Sequence, residues 1–580
     1  MARLRLPFAD AGLTDRQAAA HALDRLAFGP TPGAVDRVLA AGLETWIETQ
    51  IRSDLPDDAT EARVAALPDA RENLPTLAAR YRRSGGISRE ARAAGYIPPD
   101  AEQGTDAYRE GTQRFMRERG LQNIRALLPT LLDAKLLRAV HAQNQLREVL
   151  ADLWFNHFNV TARGGNLHRA LVYDRDAIRP HVLAPLRTLL GATARHPAML
   201  HYLDNAKSRA AEGTPTPVGR AGRGGGINEN YGRELLELHT LGVDGGYTEA
   251  DVAAAARAFT GWTVWPYDNP RQEQRWTRRL GRMPGVVREG MFVFRPDWHD
   301  ASAKTLLGER LPAGRGMDEG ERVLDLLAAH PSTARHLATT FAVRFVADDP
   351  PDAIVDHLAD AFRASGGDTR EVLRALVQHR AFWDAATVAD GQPGKVKTPF
   401  ELVVSALRAT GAEIVRARAL YDVLEAMGEP IYHCEPPTGF PDHASAWINP
   451  GLLLTRMQFG LRLATGGFRG IRVRLGALAD GPPPASPAEA LAAYGRALLP
   501  GRDLGPTADV LEEMVLARDV AARVDRAAEQ TPSADATEAD MDAPRRRSRR
   551  QNRRETDPTP SVDSGVVVGV LLGSPAFQRQ

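Results

Sequence analysis

Two stretches of this chain place ionisable side chains among apolar ones at helical spacing. At 100° per residue, Leu146, Val149, Leu150, Leu153, Trp154 and Val160 share one arc, and His157 falls in its middle. Glu148, Asp152 and Asn159 lie on the opposite, wetter side. Further on, Ile227, Tyr231, Leu235, Leu238 and Leu241 define a second apolar stripe with Glu234 inside it. Asn230 and Glu237 run along one border of that stripe and His239 along the other. A carboxylate in an apolar face is costly unless paired, and a histidine there needs partners for its ring nitrogens. His157 and Glu234 are therefore expected to find polar partners in one shared interior. Three chemistries stay open: a buried structural network; a divalent metal (zinc, iron or manganese) held by His157, Glu234 and His239; and metal-free acid–base work by His157, Glu234 and Glu237.

Known metal spacings are absent. There is no His-Glu-x-x-His, and Glu237-Leu-His239 is one residue short of the Glu-x-x-His pair of di-iron bundles. Any centre must be assembled from distant segments. Seven of the fifteen histidines (141, 157, 168, 181, 196, 201 and 239) fall in one part of the chain. Ahead of the second stripe, Gly219-Arg-Ala-Gly-Arg-Gly-Gly-Gly-Ile-Asn228 could form an anion nest with Arg220, Arg223, Asn228 and Asn230, or a mobile lid. It lacks the Lys-Ser/Thr ending of a phosphate-binding loop. A compact set of His299, Asp300 and Lys304 follows a strand, where functional groups are often displayed; it joins His157, Glu234 and Glu237 as candidate catalytic residues, against the alternative of a solvated turn. The stiff loop Ile431–Asp442 carries His433, Cys434 and Glu435, with no cysteine-nucleophile signature around them.

The elements that must position these groups are helices. Thr14 caps a helix over Asp15–Leu26, and Thr31-Pro32 caps a second one through Ala41. Amphipathic runs follow at 112–160, 170–194, 228–242, 249–260, 319–347, 351–364, 368–383, 396–428, 487–499 and 506–527. The one clear β signal is a hairpin around Glu289-Gly290. Helices also run into a weak recurrence at Ala194-Arg-His-Pro-Ala, Ala329-His-Pro-Ser, Gln378-His-Arg-Ala and Gly573-Ser-Pro-Ala, which reads as reuse of a helix junction or as a helical repeat array.

The chain has 580 residues, 73 basic and 73 acidic, with 43% hydrophobic and 25% charged residues, an ordinary globular composition. A zero balance makes nucleic acid an unlikely partner. A single cysteine excludes an internal disulfide and a thiolate zinc site. No stretch reaches the roughly 18 apolar residues of a membrane span, and Asp10 interrupts the N-terminal apolar run before a signal core forms. As written, the chain reads as cytoplasmic. Residues 528–563, with Arg545–Arg554, read as a disordered basic segment, and Val566–Leu572 should return to the folded body.

Several motifs together resemble a large bacterial family of unknown function, the one numbered eighteen hundred. They are Leu26-Ala-Phe-Gly-Pro-Thr-Pro-Gly33, Trp154-Phe-Asn-His-Phe-Asn-Val160, Tyr202-Leu-Asp-Asn205, Phe259-Thr-Gly-Trp262, Trp298-His-Asp300 and Lys395-Val-Lys-Thr-Pro399. The most distinctive is Asn228-Glu-Asn-Tyr-Gly-Arg-Glu-Leu-Leu-Glu-Leu-His-Thr-Leu-Gly242. The resemblance implies a helical protein, exported in many relatives and encoded beside an alkaline-phosphatase-like protein. It assigns no activity to Asn156, His157, Asn228, Glu229, Asn230, Glu234, Glu237, His239, His299 or Asp300.

The resulting expectation is a mainly α chain, a multi-helical bundle or array with a small β-hairpin insertion near 285–297. Its regions are 1–245, carrying His157 and Glu234, 246–395 with the hairpin, and 396–580. Functionally, a His/carboxylate centre of metal-dependent hydrolase type stands against a non-catalytic accessory protein acting with the alkaline-phosphatase-like partner.

Overall fold

The computed structural model describes residues 4–222, 224, 226–384, 395–479, 482, 484–502, 505–516 and 563–580. The basic segment 528–562, Arg223 and Gly225 lie outside them. The described chain is mainly helical, and its β structure is confined to sheets of two or three strands. No described helix is long and apolar enough to cross a membrane. Contacts divide the chain into two compact units, one of Met1–Ala11, Glu44–Ala385 and Ile431–Pro441, the other of Gly12–Leu43, Ala386–Pro430 and Asp442–Gln580.

In the first unit, the long run 112–160 resolves into helices Asp106–Arg119, Leu128–His141 and Gln145–His157. Gln145–His157 is buried on most sides, with the polar Gln145 and Glu148 among its buried residues. The expected hairpin is Val287–Glu289 against Phe292–Phe294, and Trp262–Val264 pairs with the other edge of Phe292–Phe294. Helix Pro270–Leu280 sets Trp276 and Leu280 against Trp265 and Val293 beside this sheet.

The recurring His-Pro and Ser-Pro junctions have one physical cause. His196, His330 and His379 are extended residues whose ring Nδ1 accepts the backbone N–H two residues on, at 3.1, 3.2 and 3.2 Å. Ser574 does the same work with its hydroxyl for helix Pro575–Gln578. Each junction ends one helix and caps the next. Three of the fifteen histidines are thereby helix caps.

In the second unit, Thr14 forms the expected cap with Gln17, closed in both directions. The next helix is Ala34–Ala41, and its N-cap is Gly33 rather than Thr31. The Thr31 hydroxyl instead accepts from Arg37 Nη2 at 2.9 Å. Val566–Leu572 returns to the folded body within helix Ser564–Gly573, which packs on Pro450–Ala464 and Pro487–Leu498.

The short helix Asn230–Glu237 leans on Glu249–Ala258 through Gly232, where an added Cβ would lie 2.9 Å from the Ala256 backbone nitrogen. Backbone cannot swing away as a flexible side chain can. Gly232→Ala should therefore lower stability by about 1–3 kcal/mol, measured by denaturant unfolding. An unchanged midpoint would show that the two helices can separate freely.

Candidate functional site

The Trp154–Val160 motif turns its polar atoms onto its own unit's backbone. Asn156 Nδ2 donates to the Phe440 carbonyl at 2.8 Å, and the Phe440 N–H donates to Asn156 Oδ1 at 2.7 Å. The amide thus pairs with one residue as a neighbouring strand would. Asn159 Nδ2 donates to the carbonyls of Pro436 (2.7 Å) and Cys434 (3.2 Å). The Tyr202 hydroxyl donates to the Glu435 carbonyl, and the Ala162 N–H donates to Tyr432 at 2.7 Å. Gly439 fits against Asn156 because it has no side chain; a Cβ there would sit 2.5 Å from the Asn156 carbonyl and amide oxygens. The stiff 431–441 loop is thus clamped along its length.

His157, the last residue of its helix, donates from Nε2 to the His239 carbonyl at 3.1 Å. His336 Nε2 donates to the neighbouring Leu238 carbonyl at 3.1 Å. Ring centroids of His157 lie 6.2 Å from His239 and 5.9 Å from His336. Burial first, and then His336, hold His157 down to about 3. Burial, with His157 and His336 adding to it, holds His239 down to about 3 as well. His336 is lowered by burial, against the Leu238 carbonyl. These imidazoles are neutral at pH 7, and His239 Nε2 is buried without a hydrogen bond.

Glu234 is not part of this cluster. It is partly exposed, and its carboxyl is raised by burial and by Glu237, with Arg233 opposing. The buried face of Asn230–Glu237 is set by Tyr231, Gly232, Leu235 and Leu236, so Glu234 lies about 130° from its centre. The apolar stripe drawn through Leu238 and Leu241 missed this rotation, because the helix ends at Glu237 and the bare Gly232 becomes a contact face. Glu237 is also partly exposed and accepts from the Tyr247 hydroxyl at 3.3 Å. Burial raises the Tyr202 phenol first, and the negative charges of Cys434 and Glu234 add to it.

His299 and Lys304 are wholly buried rather than displayed. Lys304 Nζ donates to Glu319, to the Asp300 carbonyl at 2.5 Å and to the Ser302 carbonyl at 2.9 Å. His299 Nδ1 donates to the Thr260 carbonyl at 2.9 Å, and Nε2 faces Glu319 Oε2 at 3.5 Å. Asp300 accepts from Arg257 Nε at 2.7 Å, which, with the Ser302 amide, outweighs burial and lowers its carboxyl. Glu148, expected on a wet face, is buried in an ion pair with Arg179. That helix has no wet face.

Arg220 is exposed, and its Nη1 donates to the Gly213 carbonyl at 2.7 Å. Asn228 Oδ1 accepts from the Asn230 N–H at 3.0 Å, and Asn230 is exposed. Sequence reasoning missed His336, Tyr202 and Glu319. Glu319 was legible, since it shares a helix face with Val323 and Leu327 as an acid in an apolar stripe. Among the described residues no group of three or more His, Cys, Asp or Glu has metal-holding geometry.

Two outcomes follow from this geometry. Asn156→Ala removes both hydrogen bonds to the Phe440 backbone and should cost about 1–3 kcal/mol, read by denaturant unfolding; no loss would mean the amide bonds are idle. An unfolded histidine binds its proton near pH 6.5, while native His157 and His239 hold off until about 3. Unfolding therefore takes up protons between these values, so their stabilisation is complete above pH 6.5 and is lost as pH falls toward 3. The slope reaches about 1.4 kcal/mol per pH unit for each ring. Residue-resolved NMR of labelled histidines should show both rings neutral down to pH 4.5; midpoints near 6.5 would contradict the burial.

The motifs at 154–160, 202–205, 228–242, 259–262 and 298–300 lie in the first unit and those at 26–33 and 395–399 in the second. The chain matches the family described as a protein of unknown function, DUF1800, over residues 21–579. No curated protein and no solved structure gives a significant match. With nearly its whole length matched, the chain belongs to the DUF1800 family.

Proposed function

We propose that this protein is a non-catalytic assembly or accessory protein, and that its polar motif is a structural network. One observation carries the reading. Asn156, His157 and Asn159 direct their hydrogen bonds to backbone groups of 434–440 and of His239. A histidine whose Nε2–H is engaged by a carbonyl and whose neighbours hold it neutral is well placed to fix a helix end. The partner class suggested by the family resemblance is an alkaline-phosphatase-like protein encoded nearby.

A second reading has its own support. Glu234 is partly exposed and keeps a raised carboxyl through burial and its like-charged neighbour Glu237. Such a group suits general acid–base work without a metal. The donor arrangement among the described residues gives the metal-dependent form no support.

Co-expression with the alkaline-phosphatase-like protein of the same genome, followed by size-exclusion chromatography, tests the two. The accessory reading expects a stoichiometric complex that survives Glu234→Gln. Absence of a complex, together with ester or phosphoester hydrolysis that Glu234→Gln abolishes, would overturn it in favour of the carboxylate site.

A further inference from the structure

Helix Pro270–Leu280 and the turn after it concentrate positive charge that their own acidic residues do not balance. Residues 270–288 contain six arginines (271, 275, 278, 279, 282 and 288) and one acid, Glu273, in a chain whose formal net charge is zero. Glu273 Oε1 is engaged by the Trp265 indole N–H at 3.0 Å. Arg279 pairs with Asp297 at 3.0 Å, and Arg288 lies over the Trp265 ring at 3.8 Å. Arg271, Arg275, Arg278 and Arg282 are exposed and make no ion pair among the described residues.

Their placement is ordered. Arg271, Arg275 and Arg278 fall within about 60° of one another around the helix, and Arg282 continues the row just past its end. The row stands opposite Trp276 and Leu280, the buried face of the helix. Beneath it, Trp276 meets Trp265 at 6.0 Å and Trp298 at 5.7 Å, edge to face, and Arg295 lies 3.9 Å from the Trp298 centroid. The charges are thus carried on a rigid aromatic platform, which lowers the ordering cost of binding.

We propose that this arginine row is a docking surface for an acidic helical segment of a partner protein, one whose carboxylates repeat every three or four residues. Neighbouring side chains at that repeat are about 5–6 Å apart on a helix, so the two rows share one spacing, and each guanidinium can take a carboxylate bidentately. The tryptophans point inward, and the described large apolar side chains that are exposed lie elsewhere in the sequence. The row therefore offers no stacking surface for single-stranded nucleic acid and no apolar wedge for a lipid interface. The zero net charge gives a duplex no long-range steering. The proposal rests on the accessory reading only in taking the partner to be a protein.

Fluorescence anisotropy on the full chain tests it. The probes are a labelled alanine–glutamate helix of about 15 residues with its glutamates on one face, the same composition with the glutamates dispersed, a duplex DNA oligonucleotide, and phosphatidylglycerol vesicles. The one-faced peptide should bind at least about tenfold tighter than the dispersed one, weaken with salt, and lose at least about tenfold in the Arg271→Gln, Arg275→Gln, Arg278→Gln triple variant. Those three side chains are exposed, and circular dichroism should confirm the variant folds. Equal binding of both peptides, tighter binding of DNA or vesicles, or an unchanged triple variant would each overturn the docking surface. A stable complex with the phosphatase-like partner that ignores the triple variant would leave the accessory reading intact while removing this row from it.

Discussion

The pairing of the Asn156 side chain with the backbone of Phe440 is the contact on which the first unit's polar interior depends. A primary amide offers one donor edge and one acceptor edge at the spacing of a peptide group, so it can stand in for a missing strand. Asn159, three residues later, donates from its amide nitrogen to the carbonyls of Cys434 and Pro436. Between them sits His157, whose ring reaches the His239 carbonyl. Three consecutive polar positions of one motif therefore join the end of helix Gln145–His157 to a loop and to a helix terminus. Losing any one removes hydrogen bonds that tie this helix end to the loop or to the His239 carbonyl, at a typical net cost of about 1 kcal/mol per bond.

The same logic governs the charges. Glu148 with Arg179, and Lys304 with Glu319 and His299, are ionisable groups taken out of water together. Such sets are poor sources of net stability but severe constraints on geometry, because an unpaired member is strongly unfavourable. The exposed counterpart is the carboxylate pair Glu234 and Glu237. They remain at the surface, with Glu234 shifted upward by partial burial and by its like-charged neighbour.

Much of the fold was legible in the order of the residues. Helical periodicity, the turn at Glu289-Gly290 and the cap at Thr14 depend on local spacing, and local spacing is what a sequence displays directly. The candidate site was less legible. A helical wheel finds the buried face by its large apolar residues, and in Asn230–Glu237 a glycine makes a close contact that no wheel weighs. Histidines 196, 330 and 379 read as helix junctions from their spacing, and each serves as a helix cap, a role whose hydrogen bond depends on backbone angles that spacing alone does not give. The partners of Asn156 and Asn159 lie nearly three hundred residues away in sequence, beyond the reach of any periodicity. Glu319 is the instructive omission, since the reasoning that singled out Glu234 would have singled it out too.

Native-state hydrogen exchange of the Phe440 amide measures the clamp itself. That N–H donates to Asn156 Oδ1 at 2.7 Å and belongs to a loop that is otherwise only partly covered. Strong protection, lost on replacing Asn156 by alanine while the amides of helix Gln145–His157 keep theirs, is the expected result. Exchange at the rate of a free peptide in the wild-type protein would mean that the motif's amide groups are available for other chemistry, and the structural account of this centre would fail.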